Sequence, residues 1–362
     1  MKKTLSLFLI LTLMFALFSC GNPYEPVPST EEEARTVMTL SFDGEAYEIK
    51  YELYRAFFLT YKSEIDGGDN SVWNGSDADA YIEKINKKII SSASQIFAVL
   101  HEAKKIGFDP YSASIDSKIS DYVRVSVEGG AFGDTYVEGE GSYEKYLASL
   151  KAMNLNYSVQ TLLIRYSLAT AALEEHYLGD KSDILDEGGE FEYDEDDVRD
   201  YYFGDECASY MQIFLPSHAY TATRAKEIRD TVASSSTKTD AALAMHDYSI
   251  SGYDEIFDGS VVGRYELDRA YFSDLSDAIF ELAAGETSEP VKIGSGKDEG
   301  YYIVYRFEAN ADYFGKHYDV IEESYILNVL GKSLAAAEGA LASSAIKTTD
   351  YSEIIHADIS MD

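Results

Sequence analysis

The chain has 362 residues, with 64 acidic against 30 basic side chains and a formal net charge of −34. That length accommodates two domains. The charge excludes nucleic acid, whose phosphates need Lys and Arg, and excludes adhesion to anionic lipid by charge; it keeps a protein soluble at an envelope surface and favours cationic clients. At the N-terminus Lys2 and Lys3 precede an apolar run over 5–18 that is too short to span a bilayer, the pattern of a secretory signal. No later run is long and apolar enough to span. Residues 22–35, rich in Pro, Ser and Glu, predict a flexible tether. Two strands over 37–42 and 45–49 flank Asp43-Gly44, a hairpin turn signal. A helix follows with Ile49, Leu53, Phe57, Tyr61 and Ile65 in i, i+4 series, then a loop over 70–76. Asp77 is placed to cap a long helix whose stripe is Ile82, Ile85, Ile89, Ala93, Ile96, Leu100 and Ala103. Gly107 and Pro110 end it. Further helices are predicted over 112–127, 142–153 and 156–178, with a Gly-rich acidic loop over 129–141. The run Phe57-Phe58-Leu59 presents more apolar surface than one buried face easily absorbs, so either part of it is exposed or all three are buried between helices.

The signal ends in Leu17-Phe18-Ser19-Cys20-Gly21, which resembles a bacterial lipobox. The resemblance implies that 1–19 is removed and that Cys20 becomes the lipidated first residue, anchoring rather than spanning. Only Cys207 then remains, so no internal disulfide is possible and the fold relies on its core.

In the second half, 180–192 is an acidic linker and Asp194 caps a helix through Tyr202. Leu275, Ala278, Ile279 and Leu282 make one apolar helix face. Gly285 follows as a stop, and Glu289-Pro290-Val291-Lys292-Ile293 is a short strand with Pro290 at its start. Beyond Gly294-Ser295-Gly296, which opens a turn, Tyr301, Ile303, Tyr305 and Phe307 alternate as in a strand. The run Leu282-Ala283-Ala284-Gly285-Glu286-Thr287-Ser288-Glu289-Pro290-Val291 matches the L-x-x-G-E-x-S-x-P-V element of parvulin-type peptidyl-prolyl isomerases, and Gly300-Tyr301-Tyr302-Ile303-Val304 resembles their closing G-Y-H-I-I strand. The earlier order also resembles foldase lipoproteins of the PrsA and SurA kind: Phe42-Asp43-Gly44-Glu45, Gly107-Phe108-Asp109-Pro110-Tyr111-Ser112 and Tyr143-Glu144-Lys145-Tyr146-Leu147 stand where those have their hairpin, G-[FY]-x-x-[ST] and Y-x-x-x-L motifs. The resemblance implies an α+β chain in which a helical chaperone-like domain carries an inserted parvulin-like domain of small antiparallel sheet plus helices. The implied boundaries are 1–19 signal, 20–36 tether, 37–203 helical domain, 204–309 parvulin-like domain and 310–362 C-terminal helix and tail, the last completing the helical domain.

An X–Pro bond isomerises over roughly tens to hundreds of seconds unaided, against a resonance barrier of about 18–20 kcal/mol. Catalysis needs no nucleophile, only an apolar grip on the ring and polar groups that favour the twisted amide. In parvulins two central histidines, a neighbouring acid or thiol and a Met/Phe pocket serve this purpose. Carried over position by position, the first histidine falls on Gln212, the second on Tyr302 and the acid on Ser260 or Val261. The pocket falls on Tyr271, Leu275 and Phe280. Both histidines are thus replaced, and Gln212 and Tyr302 are expected to hydrogen-bond each other in their stead.

Other sites are weak. The histidines 101, 176, 218, 246, 317 and 356 form no local zinc motif; His101 reads as a core-edge residue and His218 as a surface one. Gly294-Ser295-Gly296-Lys297 lacks the upstream glycine and the Ser/Thr of a phosphate loop and reads as a hairpin turn. The acids 194–197 read as a helix N-terminal cluster. No metal and no cofactor is expected. The chain reads as an extracytoplasmic, lipid-anchored foldase or chaperone of the bacterial envelope, with unfolded exported proteins as partners. The alternatives are an active prolyl isomerase and a non-catalytic surface-binding lipoprotein.

Overall fold

The structure is a computed structural model that describes residues 24–132, 135–179, 189, 191–249, 252–264, 267, 273–294 and 299–348. It mixes helices with small antiparallel sheets and divides into two compact units, one of Met1–Leu173 with Leu334–Asp362 and one of Glu174–Ser333. The second unit is wider at both ends than the 204–309 segment marked out in the sequence. Among the described residues no helix is long and apolar enough to cross a membrane.

In the first unit, β1 (Thr36–Phe42) and β2 (Glu45–Lys50) form the expected hairpin. Asp43 and Gly44 both take positive φ, 50° and 80°, which is what a two-residue turn matched to strand twist demands. The two-residue strand β9 (Ile346–Lys347) returns to pair with β1 at Met38 and Thr39. Helix α1 (Tyr51–Asp66) packs on α2 (Ala78–Lys105). The stripe expected for α1 is displaced. Tyr54, Phe58 and Lys62 are buried, with Leu53 and Leu59, whereas Phe57 and Tyr61 stay half-exposed. The cause is Trp73, on a 3-10 turn (Asn70–Asn74) where a loop was expected. Its ring lies 5.3 Å from Phe58 and its Nε1 donates to Asp66 Oδ2 at 2.8 Å. Phe58 and Leu59 are therefore core, not surplus surface. Asp77 stands at the N-cap of α2 but makes no capping bond.

Helix α3 (Ala113–Glu128) leads into a short hairpin, β3 (Gly130–Phe132) and β4 (Thr135–Val137), where only a loop was expected. Helices α4 (Tyr143–Ala152) and α5 (Tyr157–Leu178) follow. Val123, Val127, Tyr146, Leu150 and Tyr157 make a core cluster against which Tyr24 and Tyr143 pack. The expected tether is thus laid on this unit from residue 24 onward.

In the second unit, α6 (Glu195–Phe203) begins with a complete capping box: Asp194 accepts from the backbone of Asp196 and Asp197 at 3.0 Å each, and Asp197 accepts from the Asp194 N–H. A four-stranded antiparallel sheet has the order β6-β5-β8-β7, from β5 (Cys207–Pro216), β6 (Ser260–Gly263), β7 (Val291–Ile293) and β8 (Gly300–Arg306). On one face Met211, Ile213, Leu215, Ile303 and Tyr305 pack on α7 (Ala222–Ala233), α8 (Lys238–His246) and α9 (Tyr253–Asp258). On the other, Ala208, Tyr210 and Val304 pack on α10 (Ser273–Phe280). A third cluster joins α6, Cys207, Val261, Phe314 of α11 (Ala311–Lys316) and Ile321 of α12 (Tyr318–Ser343).

Candidate functional site: one face of the four-stranded sheet

Opposed residues of an antiparallel pair point to the same face. The register sets Gln212 opposite Val304, Phe214 opposite Tyr302, and Tyr210 opposite both Arg306 and Ser260. It also sets Val291 opposite Tyr302. Gln212, Tyr302 and Ser260, carried separately from the sequence, therefore share one face. Helix α10 covers the Ala208–Tyr210 end of that face and leaves the Phe214 end open.

Phe214 is 37% exposed, and its ring centroid lies 4.9 Å from that of the half-buried Tyr302. Gly300 makes this arrangement possible. A Cβ there would stand 2.4 Å from the Phe214 ring and 2.7 Å from the Leu215 carbonyl. Between Phe214 and the α10 core sits Gln212. Its Oε1 is buried and has no hydrogen-bond partner. The bond expected between Gln212 and Tyr302 is accordingly not made through this oxygen: the two residues are diagonal rather than opposed, a separation of about 7–8 Å between Cα atoms. Ser260 is exposed on the edge strand β6.

Of the expected pocket residues, Leu275 is 3% exposed and lies within the core beneath the face. Phe280 is half-buried, with Arg264 4.9 Å and Arg306 6.0 Å from its ring. Arg306 donates to the Leu282 carbonyl at 2.7 Å, which fixes the end of α10 over the sheet. Tyr271 and Cys20 lie outside the described residues, as do His356 and residues 295–297. The strands flanking that last turn are antiparallel, as a hairpin requires.

Two features were not read from the sequence. Phe214 alternates with Gln212 on β5, so the strand period could have marked it as part of the same face. On the opposite side of the sheet, Lys238 at the start of α8 holds its Nζ 3.5 Å from the centroid of Phe307, 4.8 Å from Phe257 and 5.5 Å from Tyr313. Burial pushes this amine down to about 8. Its ring partners come from α9, α11 and the end of β8, so no local motif announces them. Among the described residues no three metal-ligating side chains converge. His101 is buried, with Nδ1 2.8 Å from the Tyr47 hydroxyl, and His218 is exposed.

Chemically, the face offers a ring pair for apolar contact and one desolvated acceptor. It offers no imidazole and no acid within the sheet. No protein-family model matches the chain, and no curated protein matches it. Solved structures to which it is similar include the foldase protein PrsA from Streptococcus pneumoniae, at 14% identity over 88% of this chain and 96% of that one, TM-score 0.25. PrsA from Bacillus subtilis is another, at 16% over 86% and 92%, TM-score 0.24. A third is the foldase protein PrsA from Lactococcus lactis, at 10% over 87% and 96%, TM-score 0.24. Superpositions this loose carry no weight for fold or activity.

Proposed function

We propose that the chain is an extracytoplasmic, lipid-anchored foldase of the bacterial envelope, and that it binds unfolded exported polypeptide on the Phe214–Tyr302 face of a parvulin-like domain without histidine-based isomerisation. The observation that carries this is the orphaned Gln212 Oε1. A buried acceptor left unpaired costs about 1–3 kcal/mol and calls for an explanation. Gln212 as a residue is only partly buried, so rotation of its amide would bring this oxygen to an N–H of an extended client strand lying across the face, while Phe214 and Tyr302 take an apolar side chain. The L-x-x-G-E-x-S-x-P-V resemblance supports the same domain reading. The parvulin resemblance assigns Tyr271, Leu275 and Phe280 to the proline pocket. Lipidation at Cys20 rests on the lipobox.

Gln212→Met keeps the side-chain volume and deletes the acceptor. The expected outcome is unchanged or higher resistance to urea together with several-fold weaker binding of an unfolded polypeptide. Equal binding by wild type and variant would remove Gln212 from the site. In a protease-coupled prolyl assay the mature chain is expected to turn over near background. Turnover typical of a parvulin would instead favour the active-isomerase reading.

A further inference from the structure

The segment between the lipobox and the first strand is bound to the first unit at five places. The Tyr24 hydroxyl donates to Glu128 Oε1 at 2.9 Å, and its ring lies tilted against that of Tyr143, 5.2 Å between centroids. The Tyr143 hydroxyl donates to the Glu25 carbonyl at 2.6 Å. Ser29 Oγ donates to Glu52, whose carboxylate also accepts from Asn156 and Ser158. The Glu33 carbonyl accepts from the Glu52 N–H, and the Arg35 carbonyl from the Tyr51 N–H. These are not the contacts of a free spacer. Four residue steps separate Cys20 from Tyr24, which reach about 14 Å when fully extended.

Close to the Tyr24 contact lies the β3–β4 hairpin. Glu128 is followed by Gly129, and a Cβ at Gly129 would stand 3.7 Å from the Tyr136 hydroxyl. Tyr136 is 76% exposed and Val27, on the strap itself, 44%. Ala131, opposite Tyr136 across the hairpin, is exposed as well. An aromatic ring with a polar tip suits the boundary between headgroups and acyl chains.

We propose that the strap, residues 24–35, clamps the first unit against the bilayer that carries the anchor, so that the hairpin bearing Tyr136 rests in the lipid headgroups. This rests on lipidation at Cys20. The reach of about 14 Å is only a few times the thickness of one headgroup layer, taken as half the difference between the roughly 40–45 Å bilayer and its 30 Å core. Once Tyr24 is docked, the neighbouring surface has little freedom to leave the membrane. Glu25, Glu128, Glu138 and Glu140 border the same region, so a zwitterionic surface is favoured over an anionic one.

The test uses the full mature chain with its lipid anchor, reconstituted into phosphatidylcholine vesicles with brominated acyl chains. An environment-sensitive fluorophore is placed at Tyr136→Cys, with Ala131→Cys as a second site; Cys207 is 3% exposed and stays unlabelled in the folded protein. Tyr111→Cys, 54% exposed and beyond the other end of α3, about 24 Å along that helix from the hairpin, is the reference within the same unit. Flotation with the vesicles reports the anchor. Among floating protein, quenching is expected several-fold stronger at 136 and 131 than at 111, weaker when phosphatidylglycerol is included, and lost when about 20 Gly/Ser residues follow Gly21, a spacer of roughly 25 Å root-mean-square length. Protein that does not float overturns the anchor reading and this proposal with it. Protein that floats without quenching at 136 or 131, or that quenches equally with the long spacer, overturns the clamp alone.

Discussion

Asp66 and Lys238 are charges taken out of water in opposite ways. Asp66 is sealed, its side chain 0% exposed, and its Oδ2 accepts from Lys62 Nζ at 2.6 Å and Trp73 Nε1 at 2.8 Å, while Oδ1 accepts from the Gly68 N–H at 2.8 Å. Burial pushes its carboxyl up, but these donors outweigh burial and hold it below the usual carboxylate range. Removing the acid strands Lys62, whose only other side-chain partner among the described residues is Asn70. Asp66→Ala is expected to cost about 3–5 kcal/mol, read from urea midpoints at neutral pH; a loss below about 1 kcal/mol would mean that Lys62 finds water. The folded carboxyl titrates below the unfolded one, so this stability is present above the ordinary carboxylate pKa and is lost as pH falls through the folded value. Lys238 has the cage of rings, and the nearby Asp258 carboxylate, already paired with Lys316, only partly counters its burial. Burial lowers it to about 8, and the ring faces, which attract a cation, offset part of that cost. The unfolded chain holds this proton up to about pH 10.4. Between those values the unfolded state binds more protons, so the contribution of Lys238 becomes more favourable as pH rises. Relative to Lys238→Met, wild type is expected to gain in urea midpoint between pH 8 and pH 10. A difference independent of pH would show the amine to be ordinary.

Helices, the β1–β2 hairpin and the Asp194 cap were legible in the sequence because each is set by a local signal: apolar spacing, a turn dipeptide, a capping box. Where nonlocal contacts decide, the reading failed. The buried face of α1 is chosen by Trp73, which arrives from a 3-10 turn, and the i, i+4 series cannot see it. The strap reads as free because Pro, Ser and Glu are linker residues. Its partners Glu52, Glu128 and Tyr143 are 23 to 118 positions away in sequence. The positions Gln212, Tyr302 and Ser260 were carried over from the parvulin resemblance, and the register sets them on one face. The open Phe214 was not, because openness depends on where α10 stops. Gly300 governs that geometry. In Gly300→Ala the new methyl would meet the Phe214 ring at 2.4 Å. Displacement of the ring is expected to cost about 1–3 kcal/mol and to weaken binding of unfolded polypeptide. Adding Phe214→Ala should make the Gly300→Ala stability loss clearly smaller, since the two share one contact. Full additivity in the double-mutant cycle would place the strain at the Leu215 carbonyl instead.

Across the whole molecule the dominant fact is the formal charge of −34. Most ion pairs described here are exposed, such as Lys87–Glu83 and Lys316–Asp258, and each contributes about 0–1 kcal/mol. The acidic excess therefore acts mainly as self-repulsion, which opposes the compact state. Salt shortens the reach of that repulsion from about 30 Å at 0.01 M to about 8 Å at 0.15 M. The buried Lys62–Asp66 pair is screened far less. Two effects of opposite sign follow from one cause. Raising sodium chloride over that range is expected to raise the thermal midpoint of the chain, because repulsion within it falls. The same change is expected to weaken its binding of a basic unfolded polypeptide several-fold, because attraction between chain and client falls too. An acidic polypeptide of equal length separates this field effect from the sheet-face contacts: its binding should hold steady or strengthen with salt. Thermal midpoints from calorimetry and binding from fluorescence anisotropy, taken on one protein preparation, decide both. A midpoint that falls with salt would place the stability in exposed ion pairs. Binding of the basic client that ignores salt would leave Phe214, Tyr302 and Gln212 as the whole of the recognition.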